Sequence, residues 1–159
     1  MNIGKEKFSQ ELANRNFLFI GLSDRWGTKE RNILRDCIMA KRAGANVYLY
    51  CQRDSFLSKK AKQNGVELVF HKGKFYTKLV QWYKLRALKK LINDLKIDLI
   101  HCYNIKILWP IAFFIRRKHK ISLILTQGNE VQKFYRNFYY RPLSSRIDQV
   151  LLPMQEMVE

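Results

Sequence analysis

Short apolar segments alternate with helix-forming segments along this chain, and the alternation strongly constrains its fold. The first apolar segment, residues 17–22, is short enough for a strand that is buried on both faces. After a polar turn, residues 29–43 carry apolar side chains at helical spacing and end at Gly44, a residue typical of helix C-termini. Further strands are predicted at 47–51, 66–70, 98–101, 121–126 and 149–152. Further helices are predicted at 53–64, 75–95, 107–117 and 132–140.

Strands that alternate with helices predict a mainly parallel sheet with right-handed crossovers. The sequence therefore predicts an α/β, Rossmann-like three-layer domain over residues 17–159, after a polar lead-in at 1–16. In such domains ligands bind beyond the carboxyl ends of the strands, where the first turn offers backbone N–H groups. The turn has neither G-x-G-x-x-G nor a P-loop sequence, so neither of those nucleotide sites is predicted.

The cysteines and histidines lack the spacings of metal sites and disulfide frameworks. Cys37, Cys51 and Cys102 each lie in an apolar segment, which predicts buried, reduced thiols in a cytoplasmic protein. Residues 1–16 lack the apolar core of a secretory signal, and the longest apolar stretch, 105–115, is too short to span a bilayer. We expect a soluble or surface-bound protein without a metal or a bound cofactor.

The charge of the chain predicts an anionic partner. Thirty Lys and Arg residues stand against 13 Asp and Glu residues, which gives a formal net charge of +17. The partner would be phosphate, nucleic acid or an acidic membrane face. In the helix at 75–95, basic and aromatic side chains interleave, which suits an anionic membrane surface as well as an ordinary solvated face. The predicted membrane contacts are Lys78, Trp82, Lys84, Lys89 and Lys90.

Five short segments, taken in order, carry a resemblance to a known family. They read W-G-T-K-E-R at 26–31, A-K-R-A-G-A-N-V at 40–47, I-D-L-I-H-C-Y-N at 97–104, T-Q-G-N-E at 126–130 and I-D-Q-V-L-L-P at 147–153. They are similar to the W-G-G-x-E-R, L-x-x-R-G-H-x-V, P-D-V-V-H-x-H-x, T-x-H-G-x-E and A-D-x-V-I-A-V-S motifs of family 4 glycosyltransferases. From about residue 17 onward, the chain resembles the N-terminal, acceptor-side half of a GT-B fold.

The resemblance implies a hexosyltransferase of the retaining type, with a role in polysaccharide or lipopolysaccharide biosynthesis. It would move a sugar from a nucleotide-sugar donor to a glycan or lipid-linked acceptor, at the inner face of the cytoplasmic membrane. In this family a second domain holds the nucleotide-sugar, and no segment here corresponds to it. We therefore expect a fragment or one half of a split enzyme, inactive without a C-terminal donor-binding domain or a partner chain.

The resemblance also assigns candidate site residues at the ends of the strands. Two departures from the family motifs matter. Thr28 replaces the second glycine of the turn, and Gln127 replaces a histidine that faces the reacting centre in relatives. Because an amide cannot act as a general base, no catalytic residue is assigned. The donor- or acceptor-binding candidates are Gly27, Thr28, His101, Tyr103, Asn104, Gln127, Gly128 and Glu130.

Each candidate also has an ordinary structural interpretation. Gly27 and Thr28 would form a plain strand-to-helix turn, and His101 would close a strand as a half-buried side chain. Gln127 and Glu130 would make hydrogen bonds within their own loop. Glu30 would stabilise the first turn of its helix, where a carboxylate is favoured by about 0.3–1 kcal/mol.

Two other classes of function stay open. A basic α/β module could hold nucleic acid or another polyanion without chemistry, although no RNP, KH or helix-turn-helix signature is present. Specific nucleic-acid binding is therefore not expected. A regulatory or scaffolding half-domain is the third possibility, and Gln127 in place of the family histidine is its only support.

Overall fold

The computed structural model describes residues 12–70, 80–103, 111–112, 121–126 and 147–151, with side chains omitted at 80–85. The strands are β1 (Asn16–Gly21), β2 (Asn46–Cys51), β3 (Glu67–Phe70), β4 (Leu99–Cys102), β5 (Ser122–Thr126) and β6 (Gln149–Leu151). The helices are α1 (Thr28–Arg42), α2 (Phe56–Gln63) and α3 (Val80–Asp94). The predicted helix at 132–140 lies outside the described residues, as does the predicted helix at 107–117 except for residues 111 and 112.

The six strands form one sheet in the order β3-β2-β1-β4-β5-β6, and every neighbouring pair is parallel. The predicted Rossmann-like α/β fold is therefore confirmed. Most observed boundaries lie within two residues of the predicted ones. Helix α2 begins later than residue 53 because the Ser55 side chain caps it, accepting a hydrogen bond from the Ser58 N–H at 3.1 Å.

Alternate side chains of the strands pack into two cores, one on each side of the sheet. On one side, Phe19 and Leu49 pack with Ile33 of α1 and Leu57 of α2. On the other side, Leu88 and Ile92 of α3 pack with strand residues that include Leu18, Ile20, Ile100 and Leu125. Helices α1 and α3 therefore cover opposite faces of the sheet.

The three cysteines are buried and unbonded, as predicted. Cys37 and Cys51 belong to the core beneath α1 and α2, and Cys102 belongs to the core beneath α3. Burial raises the pKa of the Cys51 thiol to about 12 and shifts the pKa of the other two upward as well. The thiols are therefore protonated and unreactive near neutral pH.

Strand β1 ends at a close approach between the sheet and two helices. A Cβ atom added to Gly21 would lie 2.6 Å from Leu57 Cδ2 and 3.0 Å from Ile33 Cδ1. Both of those side chains are fully buried. The absence of a side chain at Gly21 therefore lets α1 and α2 pack against the carboxyl end of β1.

The direction of chain progression across the sheet reverses between β1 and β4. The chain moves outward from β1 to β2 and β3, and then continues from β4 on the other side of β1. Ligands of open α/β sheets bind at such a reversal, beyond the carboxyl ends of the strands. The turn after β1 and the last residues of β4 and β5 therefore define the place to examine.

Candidate functional site

The turn between β1 and α1 is closed by a carboxylate from its own helix. The Gly27 N–H donates a hydrogen bond to Glu30 Oε2 at 3.0 Å, and Glu30 is only 5% exposed. A Cβ atom on Gly27 would lie 3.3 Å from the same oxygen. Because Glu30 already neutralises the positive end of the helix dipole, this turn differs from an open phosphate site.

Lys29 brings a cationic group to the same turn. Its side chain is half-buried, and burial lowers its pKa, while the charge of Glu30 opposes that shift. Thr28, the residue that replaces the family glycine, is exposed beside it. The turn therefore presents an ammonium group, a hydroxyl group and a buried carboxylate close to the reversal point of the sheet.

A chain of hydrogen bonds runs from α1 through the end of β4 to the end of β5. The Tyr103 hydroxyl donates to Asp36 Oδ2 on α1. The same hydroxyl oxygen lies 3.5 Å from His101 Nδ1, and His101 Nε2 lies 2.7 Å from Thr126 Oγ1. The His101 and Tyr103 rings stack with their centroids 4.4 Å apart. These hydrogen bonds join α1, the end of β4 and the end of β5 at the carboxyl edge of the sheet.

Burial keeps His101 and Tyr103, two members of this hydrogen-bonded chain, neutral. Desolvation lowers the pKa of His101 to about 4, although the nearby Asp36 carboxylate raises it in part. Desolvation and the hydrogen bond to Asp36 both raise the pKa of Tyr103. Near neutral pH the imidazole therefore carries one proton and the phenol keeps its own.

The structure brings some of the predicted site residues together at one edge of the sheet. Gly27 and Thr28 lie at the turn after β1, and His101 and Tyr103 lie at the end of β4. Both rings are buried, with 6% and 7% exposure, so their polar atoms face protein partners. The remaining candidates, Asn104, Gln127, Gly128 and Glu130, lie outside the described residues.

Three residues of this edge were not predicted from the sequence. Lys29 and Thr126 lie inside the motif segments, but the motifs draw attention to their neighbours. Asp36 lies in the middle of α1 and belongs to no motif, so no sequence signal singles it out. Only the packing of α1 against the sheet brings its carboxylate to the Tyr103 hydroxyl.

The predicted membrane helix is only partly described. Lys89 and Lys90 are exposed on α3. Lys78 lies outside the described residues, and of Trp82 and Lys84 only the backbone is described.

A second basic surface lies on the outer side of α1, on the opposite face of the sheet. It is a shallow groove of about 290 Å³ lined by Trp26, Arg31, Leu34, Arg35, Ile38, Met39 and Arg42.

Among the described residues, no group of three or more His, Cys, Asp or Glu side chains is placed to hold a metal ion. None of the helices in that part of the chain is both long enough and apolar enough to cross a membrane.

A parallel sheet in this order, with helices on both faces, defines a Rossmann-like α/β domain. The family model described as glycosyl transferase 4-like matches residues 27–152. The chain therefore belongs to the glycosyl transferase 4-like family, as its motifs predicted. No curated protein sequence gives a significant match.

Solved structures with similar folds are GT-B glycosyltransferases. A glycosyltransferase from Rickettsia africae ESF-5 has a TM-score of 0.64 at 12% identity, over 87% of this chain and 42% of its own. MurG of Acinetobacter baumannii has a TM-score of 0.61 at 12% identity, over 91% and 43%. HepE of Anabaena, solved with UDP and glucose, has a TM-score of 0.54 at 16% identity, over 71% and 29%. The chain thus spans less than half of each, and the likeness shows the GT-B half-domain fold alone.

Proposed function

We propose that this chain binds the acceptor in a glycosyltransferase that moves a sugar from a nucleotide-sugar to a lipid-linked or surface-glycan acceptor at the membrane face. Membership of the glycosyl transferase 4-like family supports the class of reaction. The observation that carries the choice of the acceptor is the turn after β1, where Glu30 accepts the Gly27 N–H.

That turn suits sugar hydroxyls better than a diphosphate. A diphosphate needs free backbone N–H groups at a helix N-terminus, and here a buried carboxylate takes that place and would repel it. A sugar hydroxyl can donate to a carboxylate oxygen, and Lys29 and Thr28 offer donors beside it. The geometry therefore favours acceptor binding at this edge, with the donor held elsewhere.

The donor would be held by a second domain or by a partner chain. HepE, a structural neighbour, was solved with UDP and glucose, and this chain covers only 29% of it. By analogy with that complex, we take a nucleotide-sugar as the donor substrate, and we expect no further cofactor. In such a reaction the protein acts by positioning the two substrates and by stabilising the leaving diphosphate. We expect the chain to have no transferase activity alone.

Two neighbouring carboxylates provide a matched test of this proposal. Radiolabelled nucleotide-sugars would be incubated with the complete product of the gene, including any second domain, and with membranes of a host strain from which the gene has been deleted. We expect label in the lipid or glycan fraction only when the gene product is added. Glu30→Gln keeps an acceptor for the Gly27 N–H but removes the charge, and should reduce transfer by roughly tenfold or more, a loss of about 1.4 kcal/mol.

Asp24→Asn is the control, because Asp24 is exposed on the same turn. It should leave transfer unchanged. Equal transfer by the two variants would contradict the role of Glu30. Incorporation of label that does not depend on the chain would contradict the proposed function itself.

Membrane contact belongs to the proposed function and is assigned to α3. Exposed cationic side chains near an anionic bilayer contribute about 1 kcal/mol each. The double variant Lys89→Glu/Lys90→Glu should therefore lose sedimentation with vesicles that contain phosphatidylglycerol. The double variant Arg31→Glu/Arg42→Glu, in the α1 groove on the other face, should retain it. The reverse result would place the membrane surface on α1.

The net charge of +17 supports one alternative, a polyanion-binding module without catalysis. Binding of duplex or single-stranded nucleic acid would then fall steeply and linearly with the logarithm of the salt concentration. We expect nucleic acid to bind more weakly than anionic vesicles at physiological salt. The opposite preference, together with no transfer in the membrane assay, would favour the module.

A further inference from the structure

We propose that Asp36, Tyr103 and His101 form a positioning chain that fixes the hydroxyl of Thr126 as a hydrogen-bond acceptor at the carboxyl edge of the sheet. This positioning chain would thereby select a ligand that offers a hydroxyl or an N–H group to the Thr126 oxygen. The direction of the hydrogen bonds follows from the protein alone. Only the identity of the ligand, a sugar, rests on the proposed function.

The direction is set at Asp36. A carboxylate can only accept, so the Tyr103 hydroxyl directs its single proton to Asp36 Oδ2. The other carboxylate oxygen, Oδ1, accepts a hydrogen bond from Arg35 Nε at 3.2 Å. The phenol oxygen therefore has only lone pairs left to offer His101.

The tautomer of His101 follows from that arrangement. The phenol oxygen lies 3.5 Å from Nδ1, and a neutral imidazole has one protonated and one bare nitrogen. A bare Nδ1 would place two lone pairs against each other inside a buried site. The proton therefore belongs on Nδ1, and Nε2 is the acceptor.

Thr126 completes the chain. Its Oγ1 lies 2.7 Å from His101 Nε2, so the threonine hydroxyl donates its proton to the bare nitrogen. The lone pairs of Oγ1 then stay available, and the side chain is only half-buried at the end of β5. A sugar hydroxyl could donate to this oxygen, whereas a phosphate or carboxylate oxygen would be repelled. Thr126 therefore favours a sugar hydroxyl over an anionic group, as the turn that contains Glu30 does.

The tautomer can be measured without any ligand. In the full chain labelled with ¹⁵N-histidine, long-range proton–nitrogen correlation spectra distinguish the two neutral tautomers, and His101→Gln assigns the signals. We expect His101 to be protonated at Nδ1. Tyr103→Phe removes the oxygen that receives this proton, and should shift the population toward the Nε2–H form.

Tyr48→Phe is the control, because it removes a hydroxyl from a half-buried tyrosine on β2 that takes no part in the positioning chain. It should leave the His101 signals unchanged. An Nε2–H tautomer in the unmodified protein would overturn the proposal. So would a Tyr103→Phe variant that folds and keeps the original tautomer.

The role of Thr126 is tested by a pair of substitutions. Thr126→Val keeps the shape and removes the hydroxyl, whereas Thr126→Ser keeps the hydroxyl. Binding of glucose, galactose and N-acetylglucosamine would be measured by saturation-transfer NMR. Loss of one hydrogen bond should weaken sugar binding by roughly tenfold in the valine variant, and the serine variant should restore it.

Equal sugar binding by the valine and serine variants would overturn the role of Thr126. Absence of sugar binding by the unmodified chain would instead count against the proposed function, while the tautomer experiment would still decide the direction of the chain. The two failures are therefore distinguishable.

Discussion

The two edges of the sheet both carry acidic side chains, but these side chains do different things. At the amino edge, Asp98 Oδ2 accepts the Asn16 N–H at 2.8 Å, and Asp148 Oδ2 accepts the Leu123 N–H at 2.7 Å. Each aspartate therefore joins the start of its own strand to the start of a neighbouring strand. At the carboxyl edge, Glu30 and Asp36 instead contact the turn after β1 and the Tyr103 hydroxyl.

This difference distinguishes motif residues that stabilise the sheet from residues that are placed to contact a ligand. The two aspartates belong to motif segments that follow the same I-D pattern, and both stabilise strand pairing. The match of these two aspartates to the family motifs therefore indicates a shared sheet architecture and carries no information about the reaction. The carboxyl edge is where ligands bind in this class of fold, so the particular chemistry of the chain is expected there.

The largest expected effect is a pH dependence that arises from the carboxyl edge. The pKa of His101 is about 4 in the folded chain and near 6.5 when unfolded. Between these values the unfolded state binds more protons, so the free energy of unfolding should fall by about 3 kcal/mol as pH drops from 6.5 to 4. Urea unfolding of the wild type and of His101→Gln at several pH values measures this contribution.

In His101→Gln this part of the pH dependence should vanish, because glutamine does not titrate. Parallel pH profiles for the two proteins would contradict the burial of a neutral imidazole at this edge.

The next effect concerns packing at the end of β1. Gly21→Ala places a methyl group 2.6 Å from Leu57 Cδ2, and overpacking of this kind costs about 1–3 kcal/mol. Thermal unfolding should therefore occur at a lower temperature. Unchanged stability of Gly21→Ala would show that α2 can move away from the sheet.

The smallest effects are expected at the amino edge. Asp98→Ala leaves the half-buried Asn16 N–H without its acceptor and should cost about 1–2 kcal/mol. Asp148→Ala should cost less, because Asp148 is exposed and water can replace its carboxylate. Chemical denaturation measures both. Loss of sugar binding in either variant, without loss of stability, would contradict the assignment of sugar binding to the carboxyl edge alone.

The sequence was sufficient for the fold because local signals agreed with one another. Segments such as 17–22 and 47–51 are too short and too apolar for anything but buried strands, and the alternation with helices implies parallel pairing. Gly44 marked the end of the first helix, and its φ of +92° lies in the left-handed region that favours glycine. Gly65, which directly follows the second predicted helix, has φ +66° in the same region.

The site was less accessible to sequence reasoning because it depends on contacts between distant residues. His101 was placed correctly at the end of β4, but its burial and its bond to Thr126 follow from the pairing of β4 with β5. Asp36 reaches Tyr103 across 67 positions of sequence. No local spacing encodes such a contact, so the positioning chain could be found only from the fold.

The central claim is that the carboxyl edge of this sheet binds a sugar acceptor, and chemical-shift mapping tests it most directly. The ¹⁵N-labelled chain would be titrated with glucose, galactose and N-acetylglucosamine, and separately with a DNA duplex. We predict sugar-dependent shifts at Thr28, Lys29 and Thr126, with the amides of Asp98 and Asp148 unchanged. Shifts confined to the amino edge, or shifts that appear with DNA alone, would contradict the claim.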